Sequence, residues 1–194
     1  MDDAETGMIL TAELFKALVN DHAIPECDAY TFATLAAKAG LKATAATYAD
    51  GAAVLAAIAK GYAAMSEKQV PLSDRILYIT PTLHTELIAM DTTKSRELLG
   101  RFAKIVEVPQ GSFNTAITLN PGDENFDFAV TGKDINFMIV HKKAVLKCDK
   151  HTVSDKIPAS QNQSHDADMY KYRHYALVDV LANKANGIYL SNKA

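Results

Sequence analysis

The run GKDINFMIVH, from Gly132 to His141, decides how this chain reads. Between Ile135 and Val140 every residue except Asn136 is apolar. A strand with one wet face would alternate, so an unbroken apolar run of this length predicts a strand covered on both faces. Upstream, Phe126 to Val130 reads as a short strand and Thr131 to Asp134 as the turn that joins the two. Downstream, Ala144 to Cys148 is expected to pair back on the apolar run.

The rest of the last third is also of strand type. From Tyr170 to Leu181, Tyr170, Tyr172, His174, Ala176, Val178 and Val180 fall on one side, with Lys171, Arg173 and Asp179 on the other, which is the period of a long strand. Asn183 to Gly187 turns the chain into a last strand, Ile188 to Leu190. Ser154 to Asp168 is polar and reads as an extended or mobile connection.

The first half is helical in pattern. Thr11 caps a short helix carrying Leu14, Phe15, Leu18 and Val19, and Pro25 closes the connection after it. Asp28 is expected to cap a second helix with Phe32, Leu35, Ala36 and Ala39 on its apolar face, ended by Gly40. After Asp50, Leu55, Ile58, Tyr62 and Met65 recur at spacings of three and four, predicting the longest helix and a core-facing stripe. Gly61 is its weak point, costing about 1 kcal/mol relative to alanine. Arg75 to Thr80 reads as a strand that feeds a helix capped by Thr80, with Pro81 at its first position and Leu83, Leu87 and Ile88 along it. Phe102 to Val108 reads as another strand ended by Pro109. Gly111 to Asn125, with Asn120, Pro121, Gly122 and Asp123, reads as a surface loop or loose hairpin. The fold class is therefore α+β.

Composition is that of a soluble globular chain: 194 residues, 48% hydrophobic, 22% charged, net charge −3. The charge is unevenly spread. Asp2, Asp3, Glu5, Glu13, Asp21, Glu26 and Asp28 face only Lys16 at the start, whereas Lys142, Lys143, Lys147, Lys150 and Lys156 outweigh Asp149 and Asp155 later on. Solvated faces account for such blocks, and so does attraction between acidic and basic parts of neighbouring subunits. Cys27 and Cys148 match no CxxC spacing, so a disulfide framework and a zinc ribbon are not indicated, and a reducing cytosol is the default. No apolar stretch approaches the roughly 20 residues needed to cross a bilayer.

Catalytic patterns fail one by one. Gly132–Lys133 lacks the phosphate loop's earlier glycine and following hydroxyl, since Asp127 and Asp134 stand there. Ser112 is flanked by Gln110 and Asn114, where a nucleophile elbow needs glycines. His141 with Cys148, Asp149 and His151 has zinc-binding residue types at no familiar spacing, and alternation sends Cys148 and Asp149 to opposite faces of a strand. His165 with Asp166 and Asp168 reads as loop polarity, while His22, His84 and His174 stand alone. The lysines from Lys142 to Lys156 suit phosphate contact without sequence readout, and Tyr170 and Tyr172 are not interleaved with them as a stacking platform requires. The expectation is no catalytic, cofactor or metal site.

Four stretches then carry a resemblance, in the same order along nearly the whole chain. IPECDAY (Ile24 to Tyr30), RILYITP (Arg75 to Pro81), GKDINFMIVH (Gly132 to His141) and NKANGIY (Asn183 to Tyr189) resemble elements of the major capsid proteins of tailed bacteriophages. The resemblance implies the Johnson fold, with a peripheral domain built on a long spine helix and a long-stranded sheet, and an axial domain. On it, Asp50 to Met65 is the spine helix and Tyr170 to Leu181 a long peripheral strand. The expected division is peripheral 1–72 with 132–194, and axial 73–131. Members usually carry an N-terminal arm and an extended hairpin loop ahead of the matched region, and this chain starts at Met1 with the acidic residues that would follow them. A monomer or small, concentration-dependent oligomers are thus expected rather than full shells.

The implied function is geometric: a coat subunit of a tailed phage or prophage, assembled in the host cytoplasm and housed in the virion. Its implied partners are copies of itself, in pentamers and hexamers, with packaged DNA touched only non-specifically and no membrane. An encapsulin-like nanocompartment shell protein shares the fold and stands as the alternative, and a metal-dependent enzyme using His141, Cys148 and His151 is the reading from another class.

Overall fold

The computed structural model describes residues 13–120, 128–164 and 168–194. The expected cap at Thr11, the turn residues Pro121 to Asp123, Phe126, and the pair His165 and Asp166 lie outside them.

Five strands form the central sheet: β1 (Leu41–Lys42), β2 (Arg75–Ile79), β3 (Lys104–Glu107), β6 (Ile135–His141) and β9 (Ile188–Asn192), in the order β1-β9-β6-β2-β3. β6 pairs antiparallel with both β2 and β9, while β3 runs parallel to β2 and β1 parallel to β9. The apolar run therefore sits at the middle of the sheet, and all of β6 is buried. Met138 and Val140 face one side with Ile188 and Leu190, and Phe137 and Ile139 face the other with Leu77, Ile79 and Tyr189. The pairing slips between Ile135 and Phe137, which brings Ile135 onto the same side as Met138. Asn136 sits at that slip, and its side-chain amide donates to the Ala46 carbonyl at 2.7 Å, which satisfies a polar group that would otherwise cost stability.

Helices cover both faces. On one lies α1 (Ile24–Ala37), whose Phe32 meets Tyr78 and Phe113 edge-on at 5.3 and 4.9 Å. On the other lie α2 (Gly51–Glu67) and α3 (Pro81–Met90), with Val54, Ile58, Tyr62, Met65 and Leu87 buried against the sheet. Asp50 caps α2 by accepting from the Ala53 amide at 2.8 Å. The β2-to-α3 junction stands as expected, with Thr80 at the cap position and Pro81 opening the helix. A further short helix, α4 (Thr93–Leu99), follows it, closed at its start by a reciprocal Thr92–Ser95 capping box.

The N-terminal pattern needs correction. Two helices divided at Pro25 are expected, but the chain is helical from 13 to 37. Proline's ring clashes with the carbonyl four residues back in a regular helix. Here Val19–Ala23 form a π-turn, with the Ile24 amide bonded to the Val19 carbonyl, and this wider turn lets the helix run into Pro25 without a break. Asp28 is consequently inside α1, and Lys38 rather than Gly40 ends it. Gly40 instead permits a close approach of two backbones, since its amide donates to the Ala185 carbonyl at 2.9 Å and a Cβ there would lie 2.6 Å from the Ala185 backbone.

The strand connections also differ. Val145–Ile157 is one long strand, β7, which pairs antiparallel with β8 (Met169–Val180), so Ala144 to Cys148 does not return onto β6 and Ser154 to Ile157 is strand, not connection. Of the two readings of the stretch from Gly111, surface loop or loose hairpin, the second holds in its described part, where β4 (Ile117–Leu119) pairs antiparallel with β5 (Phe128–Val130). β2 and β3, from the stretch 73–131, share one sheet with β6 and β9 from the stretch 132–194.

Candidate assembly surface

The β7–β8 hairpin leaves the molecule between β6 and β9. Its base is fixed where the Leu181 amide donates to the Ala144 carbonyl at 3.0 Å and where Ala144 and Val180 enter the core. Beyond that base its strands pair only with each other among the described residues. β7 is exposed along almost its whole length, and β8 alternates between half-buried and exposed. A hairpin standing alone in water is marginal at best, so its inner face needs a cover.

That cover is the helical stretch 13–37, not α2. Phe15 meets Tyr170 edge-on at 5.5 Å, Cys27 Sγ lies 3.4 Å from His174 Nδ1, and Lys38 pairs with Asp179. The residues expected on one side of the long strand, from Tyr170 to Val180, are the ones turned toward this helix. Thus the helix that packs on the long strands is the N-terminal one, whereas α2, expected as the spine helix, packs on the central sheet. A groove of about 570 Å³ remains between helix and hairpin, lined by Cys27, Tyr30, Lys147, Tyr172 and His174 among others.

Within it, His174 Nε2 lies 3.4 Å from Asp149 Oδ1, so Cys27, His174 and Asp149 form a chain. It resembles a nucleophile relay in outline only. Burial pushes the Cys27 thiol up, and neighbouring Glu26 adds to the shift, both of which disfavour the thiolate that such chemistry requires. No sequence signal points to this chain, because Cys27 and His174 are 147 residues apart.

The candidates raised by sequence disperse. His141 is buried at the end of β6, while Cys148, Asp149 and His151 lie on the hairpin, with a bulge between Asp149 and His151. Among the described residues no group of three or more His, Cys, Asp or Glu side chains could hold a metal ion. Gly132 and Lys133 pack their backbone against the Thr115–Ala116 segment, the Lys133 amide donating to Thr115 Oγ1 at 2.8 Å. Ser112 sits in a 3-10 turn, Gln110–Ser112. Both cysteines are free thiols. Among the described residues no helix is long and apolar enough to cross a membrane.

Burial also holds the His141 imidazole below its ordinary value of 6.5. A histidine with a depressed folded pKa gives stability that is complete above 6.5 and is lost as pH falls below it, because the unfolded chain then binds the extra proton. The urea midpoint of wild type should therefore fall, relative to that of His141→Gln, between pH 7.5 and about 5.5. An unchanged difference between the two proteins across that range would rule this out.

The likeness of this fold to solved structures is specific. It matches a chain of Mycobacterium phage Che8 with TM-score 0.58 and 14% identity over 86% of this chain and 58% of that one. It matches a chain of the capsid of cyanophage P-SCSP1u with TM-score 0.61 and 17% identity over 100% and 70%, and one of the mature capsid of bacteriophage PhiM1 with TM-score 0.54 and 16% identity over 100% and 65%. The chain thus has an α+β fold of the phage capsid type, the Johnson fold. It spans between 58% and 70% of the length of these three chains. No protein-family model and no curated protein matches it.

Proposed function

We propose that this chain is a subunit of a tailed-phage or prophage capsid that works by making contacts with copies of itself, not by catalysing a reaction. The observation that carries this reading is the exposed helix-and-hairpin arm. Strands of 13 and 12 residues, β7 and β8, stand off a well-packed sheet and leave a face and two edges open. Edges and apolar faces of that kind are a hazard in a monomer and an asset in a shell built from many modest contacts. The capsid likeness of the fold supports the same reading.

The peripheral unit is placed in residues 13–38 with 145–180, where a long helix lies along long strands. The axial unit is placed in 41–144 with 182–194, around the five-stranded sheet. These limits depart from the 1–72, 73–131 and 132–194 division because β2, β3, β6 and β9 form one hydrogen-bonded sheet. Contacts would be heterologous, closing into rings of five or six, with the assembled protein in the virion and packaged DNA met only through non-specific lysine contacts.

Sedimentation and negative-stain electron microscopy of the 194-residue chain test the proposal. Concentration-dependent oligomers, reaching ring-shaped capsomers at the highest loading, are expected. Monodisperse monomers at every protein and salt concentration would overturn it.

A further inference from the structure

The outer face of the hairpin, turned away from its own helix, combines apolar and cationic groups. Leu146, Tyr175 and Leu177 are 47%, 54% and 44% exposed on it. Register places them together, since Leu177 faces Cys148 across the ladder and Tyr175 faces His151. Around them stand Lys171 and Arg173, neither in an ion pair among the described residues, and Lys150, whose ammonium lies 5.3 Å from the centre of the Tyr175 ring; the three cations outnumber exposed Asp155, which stands across the ladder from Lys171.

The opposite character appears on the helical stretch 13–24. Leu14, Leu18 and Ile24 are 62%, 39% and 48% exposed, and Glu13 and Asp21, which outnumber the exposed Lys16, stand beside them with no ion pair among the described residues. Within one chain these two surfaces cannot meet, because the helix is already engaged with the hairpin's inner face through Phe15 and Cys27. We infer that the outer face of one protomer's hairpin docks on the acidic helical stretch of a second copy, so that apolar residues meet apolar residues and Lys171 and Arg173 meet Glu13 and Asp21. The inference rests on the capsid-subunit reading and names one contact within it. Because the two patches differ, the contact is heterologous and repeats from copy to copy until it closes. The exposed leucines and tyrosine decide for this partner over a nucleic-acid backbone, which would leave them in water while pairing only the cations.

Charge reversal in the full chain tests it, by sedimentation velocity at low and physiological salt. Lys171→Glu with Arg173→Glu, and separately Glu13→Lys with Asp21→Lys, should each weaken self-association about tenfold or more at low salt, because like charges then face each other. All four positions are exposed, and unchanged circular dichroism and thermal midpoints are expected. Mixing the two variants should restore association, since the reversed hairpin of one and the reversed helix of the other are again complementary. If wild type associates and neither variant differs from it, this contact is wrong while the capsid reading stands. If the variants instead lose only duplex DNA binding, the cations serve phosphate and the inference fails. If wild type never associates, both fall together.

Discussion

Arg75→Ala should cost about 3–5 kcal/mol of folding stability, read as a lowered denaturant midpoint. Arg75 opens β2 and is fully buried, yet among the described residues no carboxylate pairs with it. Its guanidinium is held by oxygens of the α2 end and the loop that follows: Nε donates to the Pro71 carbonyl at 2.9 Å, Nη2 to Val70 at 2.7 Å, and Nη1 to the Tyr62 carbonyl at 3.0 Å and Ser66 Oγ at 3.1 Å. The same group lies over the Tyr62 ring, 4.3 Å from its centre. Tyr62 and Ser66 belong to the end of α2, where the helix dipole is negative and favours a cation. The side chain therefore ties the end of α2, the loop after it and the start of the central sheet into one unit. Truncation strands these acceptors and opens a cavity. Arg75→Lys keeps the charge but loses the planar fork, and should cost about 2 kcal/mol. Arg75→Met separates packing from hydrogen bonding: if it is as stable as wild type, the carbonyl cluster contributes nothing and the account fails.

RILYITP shows at the same time what sequence can and cannot tell. The strand, the cap position of Thr80 and the opening proline were all legible, because they depend on neighbours in the chain. The burial of Arg75 was not, because its partners are mostly backbone carbonyls, which leave no trace in residue identity. β6, β8, β9 and α2 were legible for a related reason: each has a face against the core or the covering helix, and burial writes its period into the sequence. β7 has no such face. VLKCDKHTVSDKI is exposed along nearly its whole length and carries a bulge, so no alternation marks it as one strand, and its last four residues, Ser154 to Ile157, read as connection. The sequence pattern divides the helix 13–37 at Pro25 because the π-turn that accommodates the ring depends on backbone geometry rather than on residue type. The short α4 carries too few residues for a period to show. The lysines from Lys142 to Lys156 stand out in the sequence, but only Lys150 of them reaches the outer face of the hairpin, beside Lys171 and Arg173, while Lys147 and Lys156 turn toward the helix, a division that follows only from the register of β7 with β8.

Gly61→Ala should destabilise the protein by about 2 kcal/mol, against the sign that helix propensity alone predicts. In an exposed helix interior this substitution gains about 1 kcal/mol, and Gly61 looked like a flaw for that reason. The glycine instead marks a close approach of α2 to the sheet. A Cβ at Gly61 would lie 2.7 Å from the ring carbons Cδ1 and Cε1 of Tyr189 and 3.1 Å from Ile139 Cδ1. Tyr189 cannot swing away, since it is buried in β9 and stacks on Phe137 with ring centres 6.2 Å apart. Relief therefore requires α2 to rise from the sheet, loosening Ile58 and Met65, both fully buried in the same layer. The second half of the test uses Tyr189→Leu, which removes the ring carbons that the new methyl would strike. In that background Gly61→Ala should become neutral or stabilising by up to about 1 kcal/mol, so that the two substitutions are strongly non-additive. Equal losses from Gly61→Ala in both backgrounds would show that the clash with Tyr189 is not what keeps glycine at this position.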